Sequence, residues 1–385
     1  MDVPSRPLGA FGSFTMLGVK ISVLRWLLFI SAVLLPFDCY SLCIGDFDFD
    51  GDVDGQDVQQ LVSGKIGVSL SFFAADFGLA DCPALPAAPL NQFTIGDSIG
   101  EGEAADGTIG EMHHEAVWST GFGAGIVYSL NKRFEESEPA GYYENDAQRD
   151  SIFNQAESGA VMADFAAQAS LVAAAAAGTP SETAGVVSIL LGANDVCSAA
   201  NPDALIDAAA LNLFDQQYRA GLDMLAASPA TRDAFIHVSG IPAIYWLWNA
   251  KRTNFLCRVL IWPFVPCQIL LDNPGNDCGA GDSHLDPDTI HPDDGQNCVR
   301  RKEFHAAIRD EYNRILADVL LEYKLDGRLP NAYYVDIFDI QFGADEVNDG
   351  DCFHPSEDGH NLLAGEQWCR SHWGWADPLC GNRYR

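Results

Sequence analysis

The sequence predicts an α/β fold, with a parallel sheet covered by helices on both faces and a small acidic module ahead of it. Three observations carry this. Short apolar runs alternate with helix-length stretches from about residue 90 onward. Those runs lack polar alternation, as strands buried on both faces do. Residues able to do chemistry recur at their ends, where open parallel sheets place their sites.

The composition supports a folded chain. Of 385 residues, 48% are hydrophobic and only 20% are charged, enough apolar side chain to bury a core. That length suits about two domains, or one large domain with an appendage. The formal net charge is −32, from 22 Lys+Arg and 54 Asp+Glu. Phosphate contacts need clustered Lys and Arg, so this balance excludes nucleic acid or an anionic membrane surface as a bulk-charge partner. It suits solubility and cation binding.

Residues 1–42 read as an export-signal region. Lys20 and Arg25 precede an apolar run at 26–37, long enough for a signal core and too short to span a bilayer comfortably. Met16 offers a more ordinary start for such a signal, and cleavage is expected near 38–42. A secreted protein is therefore expected; an uncleaved anchor is the alternative. The apolar stretch 259–271 is short and interrupted by Pro263 and Pro266, so no membrane span is expected in the mature chain.

Cysteine usage fits an oxidising compartment. Eleven cysteines become ten if cleavage removes Cys39, an even number suited to five disulfides. Proximity in sequence suggests Cys43–Cys82, Cys257–Cys267, Cys278–Cys298 and Cys369–Cys380, which leaves Cys197 for Cys352.

Within the first module, 43–82, residues 46–57 read DFDFDGDVDGQD. The frame D-x-D-x-D-G-x5-D fits an EF-hand-type calcium loop. Asp46, Asp48 and Asp50 take its first three ligand positions, and Gly51 supplies the sharp turn. Asp52 offers its backbone carbonyl, Asp54 sits at the position often bridged by water, and Asp57 closes the loop. Ca2+ would offset the mutual repulsion of six aspartates in twelve residues. The closing Asp resembles dockerin-type loops, but residues 72–82 lack a second Asp ladder. The resemblance covers one repeat, and a calcium-bound spacer or adhesion module, with a protein or cell-surface partner, is the expected role. Residues 83–89, PALPAAP, read as a stiff linker.

The second domain, 90–385, carries strand-like runs at 91–95, 186–191, 234–239 and 332–337. Helical stretches lie at 161–177, 204–226 and 300–323. Four strand ends carry chemistry. In FTIGDSIG, Ser98 follows the first strand between Gly96 and Gly100, small neighbours that let a hydroxyl and a backbone N–H face one substrate. In NQAESGA, the Gly159 N–H can approach an oxyanion closely. In LGAND, the Asn194 amide can donate to one. In DCFHPS, Asp351 lies three residues before His354, close enough on a loop to orient an imidazole base. Each alone could be a turn or a cap.

Together these four blocks, in this order, resemble the SGNH hydrolases, also called GDSL-type esterases and lipases. The resemblance runs from about residue 90 to the C-terminus. It implies a three-layer flavodoxin-like fold and a serine esterase acting on lipid or acylated carbohydrate esters. It further implies Ser98 as nucleophile, His354 as base and Asp351 as its orienter. The Ser98 and Gly159 N–H groups and the Asn194 amide would form the oxyanion hole, with no cofactor for catalysis.

GDSIG also fits the G-x-S-x-G elbow of α/β-hydrolases. That fold places its elbow after several strands, and Ser98 sits on the first. Two further readings are a polysaccharide deacetylase and a calcium-dependent adhesion protein with an inactive hydrolase domain. His113 and His114 read as structural, Asp195 as a brace for Asn194, and Asp349 as a poorer partner for His354 than Asp351. The aromatic stretch 241–271 reads first as a buried insertion stapled by Cys257 and Cys267, and second as an acyl pocket or lid.

Overall fold

Four strands, β1 (Gln92–Gly96), β2 (Val186–Leu190), β3 (Phe235–Ser239) and β4 (Ala332–Val335), pair in parallel in the order β1-β2-β3-β4. Gln92 registers with Val186, Val186 with Phe235, and Ile236 with Ala332. All but Phe235 are buried, including the polar side chains of Gln92, Thr94, Ser188, His237 and Ser239 among the apolar ones. The computed structural model describes residues 43–380 except 44, 48–51, 63–69, 81, 83–88, 123–126, 138–152, 272–276, 372, 375–376 and 378–379. Residues 1–42, where an export signal is expected, Asp48, Asp50 and most of the Pro-rich linker lie outside the described residues.

The outer edge of β1 is covered by the segment around Asn154, which bridges Thr94 in parallel. Gln155 N–H donates to Thr94 O at 2.9 Å and Glu157 N–H to Gly96 O at 3.2 Å. The chain thus leaves β1 toward one side and returns as β2 on the other. That reversal makes the carboxyl end of β1 the topological switch point, where ligands of open α/β sheets bind.

In the N-terminal module lie α1 (Gly55–Val62) and α2 (Leu70–Asp76). The hydrolase domain adds α3 (Ser98–Glu101), α4 (Leu130–Ser137), α5 (Phe165–Ala177), α6 (Ala193–Cys197), α7 (Ala208–Ala227), α8 (Tyr245–Lys251), α9 (Gln296–Ala307), α10 (Arg314–Leu325) and α11 (Glu357–Cys369). A π-helical turn at Ile308–Asn313 joins α9 to α10. Helix α7 packs on both α5 and α10, which lie against β1 and β4, while α4 and α11 pack together. The result is the three-layer α/β arrangement expected, and not one in which several strands precede the serine. Among the described residues, no helix is long and apolar enough to cross a membrane.

The module packs onto this domain. Phe72 and Phe73 of α2 are buried with Phe47 and Val53, in continuity with the main core. Helix α2 contacts α10, where Asp76 pairs with Lys324 at 3.6 Å.

Three disulfides join the expected partners, Cys43–Cys82, Cys278–Cys298 and Cys369–Cys380. The other two exchange partners: Cys197 pairs with Cys267 and Cys257 with Cys352. Proximity in sequence misled here because the 241–271 insertion folds across the carboxyl end of the sheet. Each of its cysteines meets a segment of the site rather than its neighbour.

Candidate active site

Ser98 opens α3 directly after β1. Asp97 caps that helix, its carboxylate accepting the Ile99 N–H at 3.0 Å. The flanking glycines are dictated by close approach. A Cβ on Gly100 would lie 2.6 Å from the Ala156 Cβ, and one on Gly96 would lie 2.9 Å from Leu190 O. Their absence lets the end of β1, the 154–160 loop and the end of β2 close around the serine. Two residues that sequence reasoning left without a role hold this geometry. The Gln168 amide exchanges hydrogen bonds with both Gly96 N–H and Gly96 O, each at 2.9 Å. The Asn154 amide donates to Gly100 O at 2.8 Å. A glutamine on the buried face of the alanine-rich α5 was the available signal.

His354 Nε2 lies 2.9 Å from Ser98 Oγ, and His354 Nδ1 lies 2.5 Å from Asp351 Oδ2. The other Asp351 oxygen accepts the N–H groups of Phe353 and His354 at 2.9 and 3.0 Å. The turn holding both residues is shaped by Asn348. Its side chain accepts from Gly350 and Asp351 N–H, and donates to Ala104 O at 2.7 Å. Asp349 turns away and pairs with Lys251 at 2.6 Å.

Electrostatics match these contacts. Burial alone would raise the Asp351 pKa, but the hydrogen bond and charge of His354 with two backbone donors hold it below the ordinary range. An ionised Asp351 accepts only, so it fixes the Nδ1–H tautomer and turns the Nε2 lone pair toward the Ser98 hydroxyl. Burial pushes His354 down, yet the hydrogen bond and charge of Asp351 outweigh it, with Glu103 and Asp97 adding to the rise. Glu103, whose carboxylate is 3.9 Å from Nε2, had no sequence signal beyond its place in an acidic run. Burial raises Asp97 to about 7.

Asn194 stands in the first turn of α6, entered through Gly192 at φ 117°. One amide hydrogen goes to Ala160 O at 3.0 Å. Its second amide hydrogen makes no hydrogen bond among the described residues, and Asn194 lines a cleft with Ser98 and His354. Asp195 does not brace Asn194 directly; its carboxylate accepts the Met162 N–H at 2.8 Å and so ties the two loops together. Gly159 sits at φ 81° on the exposed part of the same loop, a conformation glycine adopts without cost. Its neighbour Ser158 anchors that loop, donating to Glu103 from its hydroxyl and to Glu101 from its backbone at 2.6 Å. His113 contacts Asp106 at 2.9 Å and His114 contacts Glu101 at 3.6 Å, in keeping with structural roles.

In the N-terminal module, Asp52, Asp54 and Asp57 each offer a carboxylate oxygen within 4.8 Å of the others. Asp57 also accepts the Phe47 and Asp54 N–H groups at 2.6 and 2.8 Å, closing the loop on itself. Asp46 is buried beside this turn.

A serine hydroxyl, an imidazole and a carboxylate stand in line at the switch point of a parallel α/β sheet, an arrangement chemically able to carry out acyl transfer. Residues 93–366 match the GDSL-like lipase/acylhydrolase family, and the chain belongs to that family. It is accordingly a hydrolase acting on esters. No curated protein matches the chain.

Proposed function

We propose that the protein is an exported carboxylic ester hydrolase working through an acyl-serine intermediate. The observation that carries this is the continuous Asp351–His354–Ser98 chain, with contacts of 2.5 and 2.9 Å. His354 Nε2 takes the Ser98 proton as Oγ bonds to the ester carbonyl carbon. The Asn194 amide, with the Ser98 and Gly159 N–H groups, stabilises the oxyanion. The carbon–alkoxy bond then breaks, and the leaving oxygen takes the proton from His354. Water, deprotonated by His354, attacks the acyl-serine, and the acid departs as the proton returns to Ser98. The intact alignment argues against an inactive scaffold.

Export is supported by the signal-like N-terminal region and by five disulfides. The acidic loop of the module is read as a structural Ca2+ site. Three converging carboxylates fit a hard cation that takes oxygen ligands.

A fluorophosphonate probe and p-nitrophenyl acetate test the central claim. The wild type should be labelled and active, and Ser98→Ala should be neither while keeping its fold. Near-wild-type hydrolysis by Ser98→Ala would remove the acyl-serine reading altogether.

A further inference from the structure

The cleft that Ser98 shares with Asn194 and His354 is a slot of about 20 Å³. Its walls include Ile99, Pro242, Ile244, Leu247 and Phe353. One water-sized sphere needs roughly 10–15 Å³, so this slot admits a single group of that size, the size of a methyl. Ile244 and Leu247 are 2% and 3% exposed, fixed by packing on their far sides.

The walls are also tied in place. Asn313, at the end of the π-helical turn, grips the residue that leads into Pro242: it accepts from Ile241 N–H at 2.7 Å and donates to Ile241 O at 2.9 Å. Cys197–Cys267 joins the Asn194 helix to the insertion, and Cys257–Cys352 joins the insertion to the Asp351–His354 turn. The Trp262 indole adds a hydrogen bond to Cys352 O at 3.0 Å. A long acyl chain would need these walls to part.

A much larger cleft of about 1000 Å³ opens at the carboxyl ends of β3 and β4. It does not offer the chain an alternative route. Helix α8 separates the two spaces, with Leu247 toward the slot and Trp246 and Asn249 toward the cleft. Its lining sets the carboxylates of Asp286 and Asp336 beside Trp246, Leu285 and Phe338.

We propose that the slot receives the acyl group and restricts the enzyme to acetyl and similarly short acyl esters, with Leu247 as the residue that sets the limit. This rests on Ser98 being the nucleophile. The carbonyl carbon then lies over Oγ, its oxygen faces Asn194, and the acyl methyl enters the slot while the alkoxy group points to solvent.

The test compares kcat/KM for p-nitrophenyl acetate, butyrate and octanoate. A misfit methylene in an apolar pocket shifts selectivity by roughly 10–200-fold. The wild type should therefore prefer acetate over butyrate by at least about tenfold, and over octanoate by more. Leu247→Ala should raise the butyrate-to-acetate ratio by about tenfold. If that variant folds poorly, Leu247→Val should move the ratio in the same direction by less. Equal rates on acetate and octanoate in the wild type, or an unchanged ratio in a folded Leu247 variant, overturn the proposal. Probe labelling separates the two failures. A labelled enzyme with a flat acyl profile loses only the short-chain reading, whereas an enzyme that neither labels nor hydrolyses any ester loses the nucleophile as well.

Discussion

Lys324 of α10 and Asp76 of α2 form an ion pair 3.6 Å long, with both side chains only 3% exposed, between the acidic module and the hydrolase domain. Two charges withdrawn from water hold together mainly because each would be costlier alone. Burial pulls the Lys324 pKa down, and the Asp76 charge counters it. The pair therefore makes module position a matter of fold stability rather than of linker length.

Asp76→Ala should destabilise the full chain by about 3 kcal/mol, because it removes an opposite charge from beside a buried ammonium. Asp76→Leu combined with Lys324→Met should recover most of that loss. A chain beginning at Leu90 exposes Lys324 to water, so it should keep esterase activity at a lower melting temperature. Urea unfolding of Asp76→Leu, Lys324→Met and the double variant gives the coupling energy, and additive losses would mean that the pair does not act as one.

The oxyanion reading gives a kinetic signature. Asn194→Ala should lower kcat by roughly 10²–10³-fold with KM changed little, since its free amide hydrogen meets charge only in the transition state. Steady-state rates on p-nitrophenyl acetate decide this. A change confined to KM would make Asn194 a substrate-binding residue.

The pH profile follows from the His354 environment. The base must be neutral, so kcat/KM should rise with pH and level off above the His354 pKa, which lies above its ordinary 6.5. Glu103 raises that pKa by its charge, so Glu103→Gln should move the rising limb to lower pH. Asp351→Asn should cost on the order of 10⁴ in kcat, because an amide no longer enforces the Nδ1–H tautomer. A Glu103→Gln limb that stays in place would remove Glu103 from the electrostatics of the base.

Much of this site was legible in the sequence because its chemistry is local. Gly-Asp-Ser-Ile-Gly follows a strand, Asp351 and His354 share one turn, and Asn194 opens a helix after β2. All four strand runs were readable as short, mostly apolar segments between helix-length stretches, although Gln92, Thr94, Ser188, His237 and Ser239 are buried polar residues within them. What escaped was set by contacts distant in the chain. Gln168 meets Gly96 across 72 residues, and Asn348 meets Ala104 across 244. A lone glutamine in an alanine-rich helix hints at a buried polar contact, but neither local sequence names the partner. The two exchanged disulfides failed likewise, since the path of an insertion over a sheet is not written in its spacing. The packing of α2 on α10 was hidden because the apolar face of a short helix does not reveal its partner.

His360 supplies a stability test independent of catalysis. It is fully buried in α11, and neither ring nitrogen has a hydrogen-bond partner among the described residues. Burial first, then the charges of His354 and His113, drive its pKa down from 6.5 to about 3. Between those values the unfolded chain binds a proton that the folded chain refuses. Stability is therefore full above pH 6.5 and falls as the pH drops toward 3, by about 1.4 kcal/mol per unit. His360→Leu removes the titration and two unpaired polar atoms at similar volume. At pH 5 the variant should be more stable than the wild type by about 2 kcal/mol beyond any difference seen at pH 7.5. Urea midpoints at the two pH values measure this, and parallel losses in both proteins would show that acid acts elsewhere in the fold.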